Sequence, residues 1–261
     1  DKLPDTSDPN CSNFIGEAYL KRGRNSEALH YFEKALVESA NNPRLQALSL
    51  SNLGLCNWAM GQNNLDTEYL QRALDINTGL FGQNTENTAA SLNDLGLVYS
   101  NTDPDAALEY YERSLAIYQN IKEPPLEKIV QLKLNIGIIY RQLEFFGDAV
   151  NNFTDALEIW PELHPEGHPN EGFIYINLGR TSLAMENKTE AMVWYDKALT
   201  IYLKHYGEKH PEVAYIYNLI GNLHHGNEQF DEALSFYQQA LISNSREFSS
   251  QDPATNPAPE E

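Results

Sequence analysis

The sequence predicts an all-α protein, a solenoid of six helix-turn-helix repeats, on three observations. Six stretches of the chain are alike at a nearly fixed period. Within each, small and aromatic residues recur at helical spacing. The chain is also long and apolar enough to build a core throughout, with 261 residues of which 41% are hydrophobic. Its net charge of −19 has the wrong sign for neutralising phosphates or anionic head groups, so neither nucleic acid nor a membrane surface is an expected partner. No run reaches the roughly eighteen apolar residues that a spanning helix needs, so no membrane insertion is expected. The opening Asp1-Lys2-Leu3-Pro4, with neither Met nor signal peptide, leads us to expect a cut or processed end.

In chain order, a tail over 1–12 is expected first. The repeats follow near 13–38, 44–78, 86–120, 126–160, 170–204 and 211–243, and a polar, acidic tail or linker covers 244–261. The repeats are anchored by Phe14-Ile15-Gly16, Asn52-Leu53-Gly54, Asp94-Leu95-Gly96, Asn135-Ile136-Gly137, Asn177-Leu178-Gly179 and Leu219-Ile220-Gly221. Twelve positions after the glycine comes a small residue (Ala28, Ala149, Ala191, Ala233), four later an aromatic (Phe32, Phe153, Tyr195, Tyr237), and three later Ala. Small residues let two antiparallel helices approach, and the aromatic fills the seam between them. The second repeat departs, with Asp66 and Leu70 at the small and aromatic places. The third is one residue short, and its Asp103-Pro104 offers a cap and a first-turn proline to the helix that follows. Pro211 and Pro169 suit the first turns of their helices for the same reason.

This pattern resembles the tetratricopeptide repeat, which carries Leu-Gly, Tyr, Ala, aromatic and Ala at the same offsets, and the resemblance covers residues 13 to 243. It implies a right-handed α-α superhelix. Successive glycines stand 38, 42, 41, 42 and 42 residues apart. The usual period is about 34. The longer units, with linkers such as Tyr206-Gly207-Glu208-Lys209-His210-Pro211, look like those of kinesin light chains.

No catalytic constellation stands out. Cys11, in the expected tail, and Cys56, in an apolar helical pattern, adjoin no histidine and make neither a disulfide framework nor a zinc cage; they leave the compartment open. His164 and His168 share a loop with Glu162 and Glu166, which could clip a metal, although His-Pro is a common linker in such arrays and a solvated histidine is the plainer reading. His224 and His225 end a helix, where a cation is favourable anyway. No glycine-rich phosphate loop occurs. Tyr110, Tyr111, Tyr118, Tyr195, Tyr202 and Tyr237 fall at core spacing rather than on a base-stacking surface. No enzyme, cofactor or metal is expected.

The resemblance instead implies a non-enzymatic scaffold whose first helices line a concave groove for a peptide or protein segment. Its ligand-contacting places, carried over to this chain, give Asn13 and Glu17, Asn52 and Trp58, Asn93, Asp94 and Ser100, then Asn135, Arg141 and Gln142, Asn177 and Arg180, and Asn218, Asn222 and His225. The leading candidates are Asn52, Asn93, Asn135, Arg141, Asn177, Arg180, Asn218 and Asn222. Amides both donate and accept, so a ladder of asparagines suits an extended peptide backbone; equally, each can tie neighbouring helices together. Chaperone-type capture of a C-terminal carboxylate is not expected, because Asn13, Glu17, Ala90 and Asp94 stand where lysines and an arginine would be needed. Arg141 and Arg180 could hold one acidic group, whereas the overall acidity favours basic partners.

The last helix, about Phe230 to Ser243, has an interior-type apolar pattern with no further helical pattern after it, so another covering element is expected in the parent protein. Phe236 to Asn244, with Phe248 and Asp252 to Pro257, is similar to the junction where tetratricopeptide repeats give way to a CHAT caspase-like peptidase in bacterial proteins. That resemblance implies a regulatory arm joined to a C-terminal effector domain beyond Glu261. A structural role, self-association through uncapped ends, is the third alternative.

Overall fold

Twelve α-helices form among residues 9–61 and 65–245, which the computed structural model describes, and they pair in sequence order. The pairs are α1 (Pro9–Lys21) with α2 (Asn25–Glu38), α3 (Pro43–Ala59) with α4 (Leu65–Phe81), and α5 (Glu86–Tyr99) with α6 (Pro104–Asn120). They continue with α7 (Leu126–Gln142) and α8 (Phe146–Leu163), α9 (Asn170–Ala184) and α10 (Lys188–Tyr206), and α11 (Pro211–His225) and α12 (Phe230–Asn244). No strand occurs among the described residues, so the all-α class and the six helix pairs stand. Helix α1 begins four residues earlier than the sequence suggests, which places half-buried Cys11 on a helix. Phe248 and residues 252–257 lie outside the described residues.

Two compact units divide the chain, residues 1–159 and 160–261. Each is held by the same contact, a bare glycine on the first helix pressed against a large side chain on the second. In the first unit a Cβ placed on Gly16 would stand 2.5 Å from Phe32, on Gly96 2.6 Å from Tyr111, and on Gly137 2.6 Å from Phe153. In the second unit the distances are 2.5 Å from Gly179 to Tyr195 and 2.7 Å from Gly221 to Tyr237. Phe32, Tyr111, Phe153 and Tyr195 are buried. The divergent second repeat keeps the geometry with other atoms: a Cβ on Gly54 would meet Leu70 at 2.5 Å and the Asp66 carbonyl at 3.0 Å. A further close approach, Gly172 against Tyr202, fixes the start of α9 on α10 and was not singled out by the repeat pattern.

The turn between paired helices is a second shared device. Seven residues after the repeat glycine the backbone enters the left-handed region, at Gly23, Gly61, Glu144, Glu186 and Glu228, with φ between 61 and 71°. The next N–H then reaches back five residues, as Arg24 to Tyr19 O at 3.0 Å, Phe145 to Tyr140 O at 2.8 Å, Asn187 to Ser182 O at 2.8 Å and Gln229 to His224 O at 3.0 Å, closing the orphan carbonyls of the first helix. The short third repeat has no residue for this turn. There Asp103 closes on Tyr99 O at 2.8 Å and caps α6 through Ala106 N at 3.1 Å, with Pro104 in the first turn.

Replacing Gly179 by Leu is expected to lower stability by about 3 kcal/mol or more, because no rotamer of a buried leucine avoids the Tyr195 ring. Arg180→Leu, one residue along on the exposed face, is the control; equal thermal melts for the two variants would contradict the packing described. Glu186→Gly should raise stability by about 1 kcal/mol by relieving the left-handed strain, read as a higher urea midpoint at unchanged slope.

Candidate peptide-binding groove

The first helices carry the candidate ligand positions, and their spacing decides which side chains face outward together. Residues six before the repeat glycine, three before it, one after it and four after it lie at i, i+3, i+7 and i+10, one face of a helix. On α9 these are Phe173, Ile176, Arg180 and Leu183; on α11 they are Tyr215, Asn218, Asn222 and His225. Within the second unit Phe173 is 42% exposed, Leu183 40% and Tyr215 37%, while Ile176 is buried. Arg180 is exposed, with its guanidinium 6.0 Å from the centre of the Tyr215 ring, and Asn218 and Asn222 are exposed beside it in the repeat register. Asn222 accepts a hydrogen bond from Tyr237 Oη at 2.8 Å, which ties it to α12.

The asparagines divide between the two uses that the sequence left open. Asn177 is buried and its Nδ2 donates to Phe173 O, 2.9 Å away and one turn back, so it serves the helix and presents no free face. Buried Asn13 donates to Ser49 Oγ at 3.0 Å and accepts from Asn52 Nδ2 at 3.1 Å, a relay that joins α1 to α3. Asn135 is half-buried and accepts from Gln131 at 3.2 Å; Asn93 is half-buried and hydrogen-bonds its neighbour Asp94. Arg141 is half-buried at the end of α7.

In the first unit α3 and α5 lie side by side and enclose a cleft of about 300 Å³. Leu45, Leu48 and Leu55 supply its apolar wall, Asn52 and Asn87 its amides, and Asp94 a carboxylate. Behind it Asn77 of α4 donates to Ser91 Oγ of α5 at 2.8 Å and fixes the spacing. Desolvation raises Asp94 to about 7, against smaller opposing effects of the Asn93 hydrogen bond and the Lys128 charge. Sequence reasoning did not single out Leu45, Leu48, Phe173 or Tyr215. Their signal was available: Leu48, Phe173 and Tyr215 all stand six before a repeat glycine, where a core-building helix has no use for a large apolar group.

The remaining chemical candidates have structural work. Cys56 is buried, its thiol is pushed up by desolvation, and Sγ donates to Asn25 O at 3.4 Å. His164 and His168 stack at 4.6 Å between ring centres, with Trp160 beside them. Among the described residues no group of three His, Cys, Asp or Glu is placed to hold a metal ion. Two of the three histidines that precede a proline share a role: His168 Nδ1 accepts from Asn170 N, the first N–H of α9, at 3.1 Å, and His210 Nδ1 from Glu212 N at 3.2 Å, so each satisfies an N–H at the start of the helix that follows. Pro211 occupies the first turn as expected, whereas Pro169 stands one residue before α9.

The tetratricopeptide repeat profile matches residues 12–47, 45–120, 129–204 and 189–241. The chain belongs to the tetratricopeptide repeat family. Among solved structures the chain is similar to BtubC (BKLC) from P. vanneervenii, at 21% identity over 85% of this chain and 88% of that one, with a TM-score of 0.69. It is also similar to a Rap protein complexed with competence and sporulation factor, at 14% identity over 89% and 73% of the two chains and a TM-score of 0.61. PilF of Pseudomonas aeruginosa matches at 18% identity over 91% and 93%, with a TM-score of 0.61. No curated protein matches the sequence. Repeat proteins of this family serve in general as non-enzymatic interaction scaffolds.

A capping Nδ1 must be unprotonated. Burial, then the neighbouring His164 and His205, lowers the affinity of His168 for a proton in the folded chain, so its contribution is complete above pH about 6.5 and is lost as the pH falls below that value. The expected outcome is a thermal midpoint that drops between pH 7 and 5, by less in His168→Asn, whose amide oxygen caps without titrating. Identical pH profiles for the two proteins would disprove the capping role.

Proposed function

We propose that this chain binds an extended peptide or protein segment along the faces of its first helices, without catalysing a reaction. The observation that carries the reading is the exposure of Leu48, Phe173 and Tyr215, at one repeat position, on helices whose opposite faces already supply the core. Exposed large apolar side chains in register with hydrogen-bonding and charged neighbours are the composition of a recognition surface. Arg180, Asn218 and Asn222 supply that polar component in the second unit, and Asn52, Asn93, Asn135 and Arg141 are the corresponding candidates in the first. The similarity to a Rap protein complexed with a factor agrees with the reading at the level of the fold.

The test is capture from source lysate by immobilised wild-type chain and by the triple variant Phe173→Ser, Arg180→Ser, Tyr215→Ser. All three positions are exposed, so helicity and melting should change little, while partner recovery should fall at least tenfold. Undiminished recovery by a folded triple variant would defeat the assignment of this face.

A further inference from the structure

The cleft between α3 and α5 has an internal asymmetry that bears on what it takes. Its wall is aliphatic, yet Asp94 lies in it half-buried, and among the described residues that carboxylate makes no ion pair. The groups around it are few. Asn93 hydrogen-bonds it, and Lys128 of α7 attracts it through space. Tyr111 and Tyr118 of α6 sense its charge, while Arg44 of α3 lines the cleft. None of these offsets the cost of desolvation, which is why the proton is held up to about 7. A half-buried carboxylate in that condition gains most from a cation that arrives already paired with apolar surface.

Resting on the groove reading above, we propose that this cleft is a subsite for a basic–aliphatic sequence: one aliphatic side chain packs on Leu45, Leu48 and Leu55 while a lysine or arginine close to it in the same segment pairs with Asp94. Three features favour this occupant over an acidic or a purely apolar one. The volume, about 300 Å³, is at the small end for a ligand site and suits side chains rather than a cofactor. Asn52 and Asn87 offer donors and acceptors at its rim for the segment's backbone. The net charge of −19 raises the encounter rate of basic segments and lowers that of acidic ones.

The experiment is selection of a phage-displayed random twelve-residue library on the whole chain at pH 8, followed by binding of the selected peptides to wild type, Asp94→Asn and Leu48→Ser. The selected sequences should be enriched in Lys or Arg within three positions of Leu, Ile, Val or Met. Asp94→Asn is isosteric and removes the desolvated charge, so it should melt no lower than wild type yet bind these peptides about tenfold more weakly. That ratio should shrink toward one at pH 6, where the wild-type carboxylate is protonated. Leu48→Ser should bind more weakly at both pH values. Binders without basic residues, or basic binders held within twofold by Asp94→Asn at pH 8, would overturn the subsite while leaving the groove reading to the Phe173, Arg180, Tyr215 variant. A library yielding nothing above bare resin would overturn both.

Discussion

A glycine against a ring is the contact on which each helix pair depends. With no Cβ on the first helix, the second can bring Phe32, Tyr111, Phe153, Tyr195 or Tyr237 to within the space a methyl group would fill. The rings therefore fill the seam, and the small residues four before and three after them, such as Ala191 and Ala198, complete the close approach. Such a pair hides only one side of each helix. Within a unit the remaining apolar face meets the next pair, as where Ile216 and Ile220 of α11 join Tyr195 and Tyr202 of α10 in one cluster. Stability is thus a sum of local units and their interfaces, and the outward face of the first helices is left with no packing task.

This division of labour explains what was legible in the sequence. Core positions recur because geometry demands one residue class at each, so Gly16 through Gly221 announce six pairs and the family profile finds them again. The second repeat shows how much variation the demand permits: Leu70 replaces the ring and Asp66 the alanine, and both are nonetheless buried against Gly54 and its surroundings. The left-handed turn residue was not legible in the same way. Gly23 and Gly61 suggest it, but Glu144, Glu186 and Glu228 adopt the same φ because the flanking helices leave the chain no other closure.

The groove was legible only as a set of positions. Asparagine recurs near the glycine, and its amide chemistry serves two uses that composition cannot separate: Asn13 and Asn177 are buried in intramolecular hydrogen bonds, while Asn218 and Asn222 are exposed. Burial is a property of neighbours distant in the chain, so it is invisible at the residue itself. Leu48 and Phe173 were overlooked for the converse reason. A leucine or phenylalanine at helical spacing reads as core unless its place six before the repeat glycine is set against the core that Leu50, Leu53, Ile174 and Leu178 already supply.

The same logic bears on Asp94. It belongs to the anchoring triplet Asp94-Leu95-Gly96, where the fourth and fifth repeats carry Asn135 and Asn177. An amide at this place meets its hydrogen-bonding needs without charge, as Asn177 does with Phe173 O. A carboxylate there is penalised by burial in its ionised form, and the Asn93 hydrogen bond only partly offsets that penalty. Folding alone would thus be served as well or better by asparagine, and the charge at this one repeat has its physical use in what the cleft between α3 and α5 receives from outside.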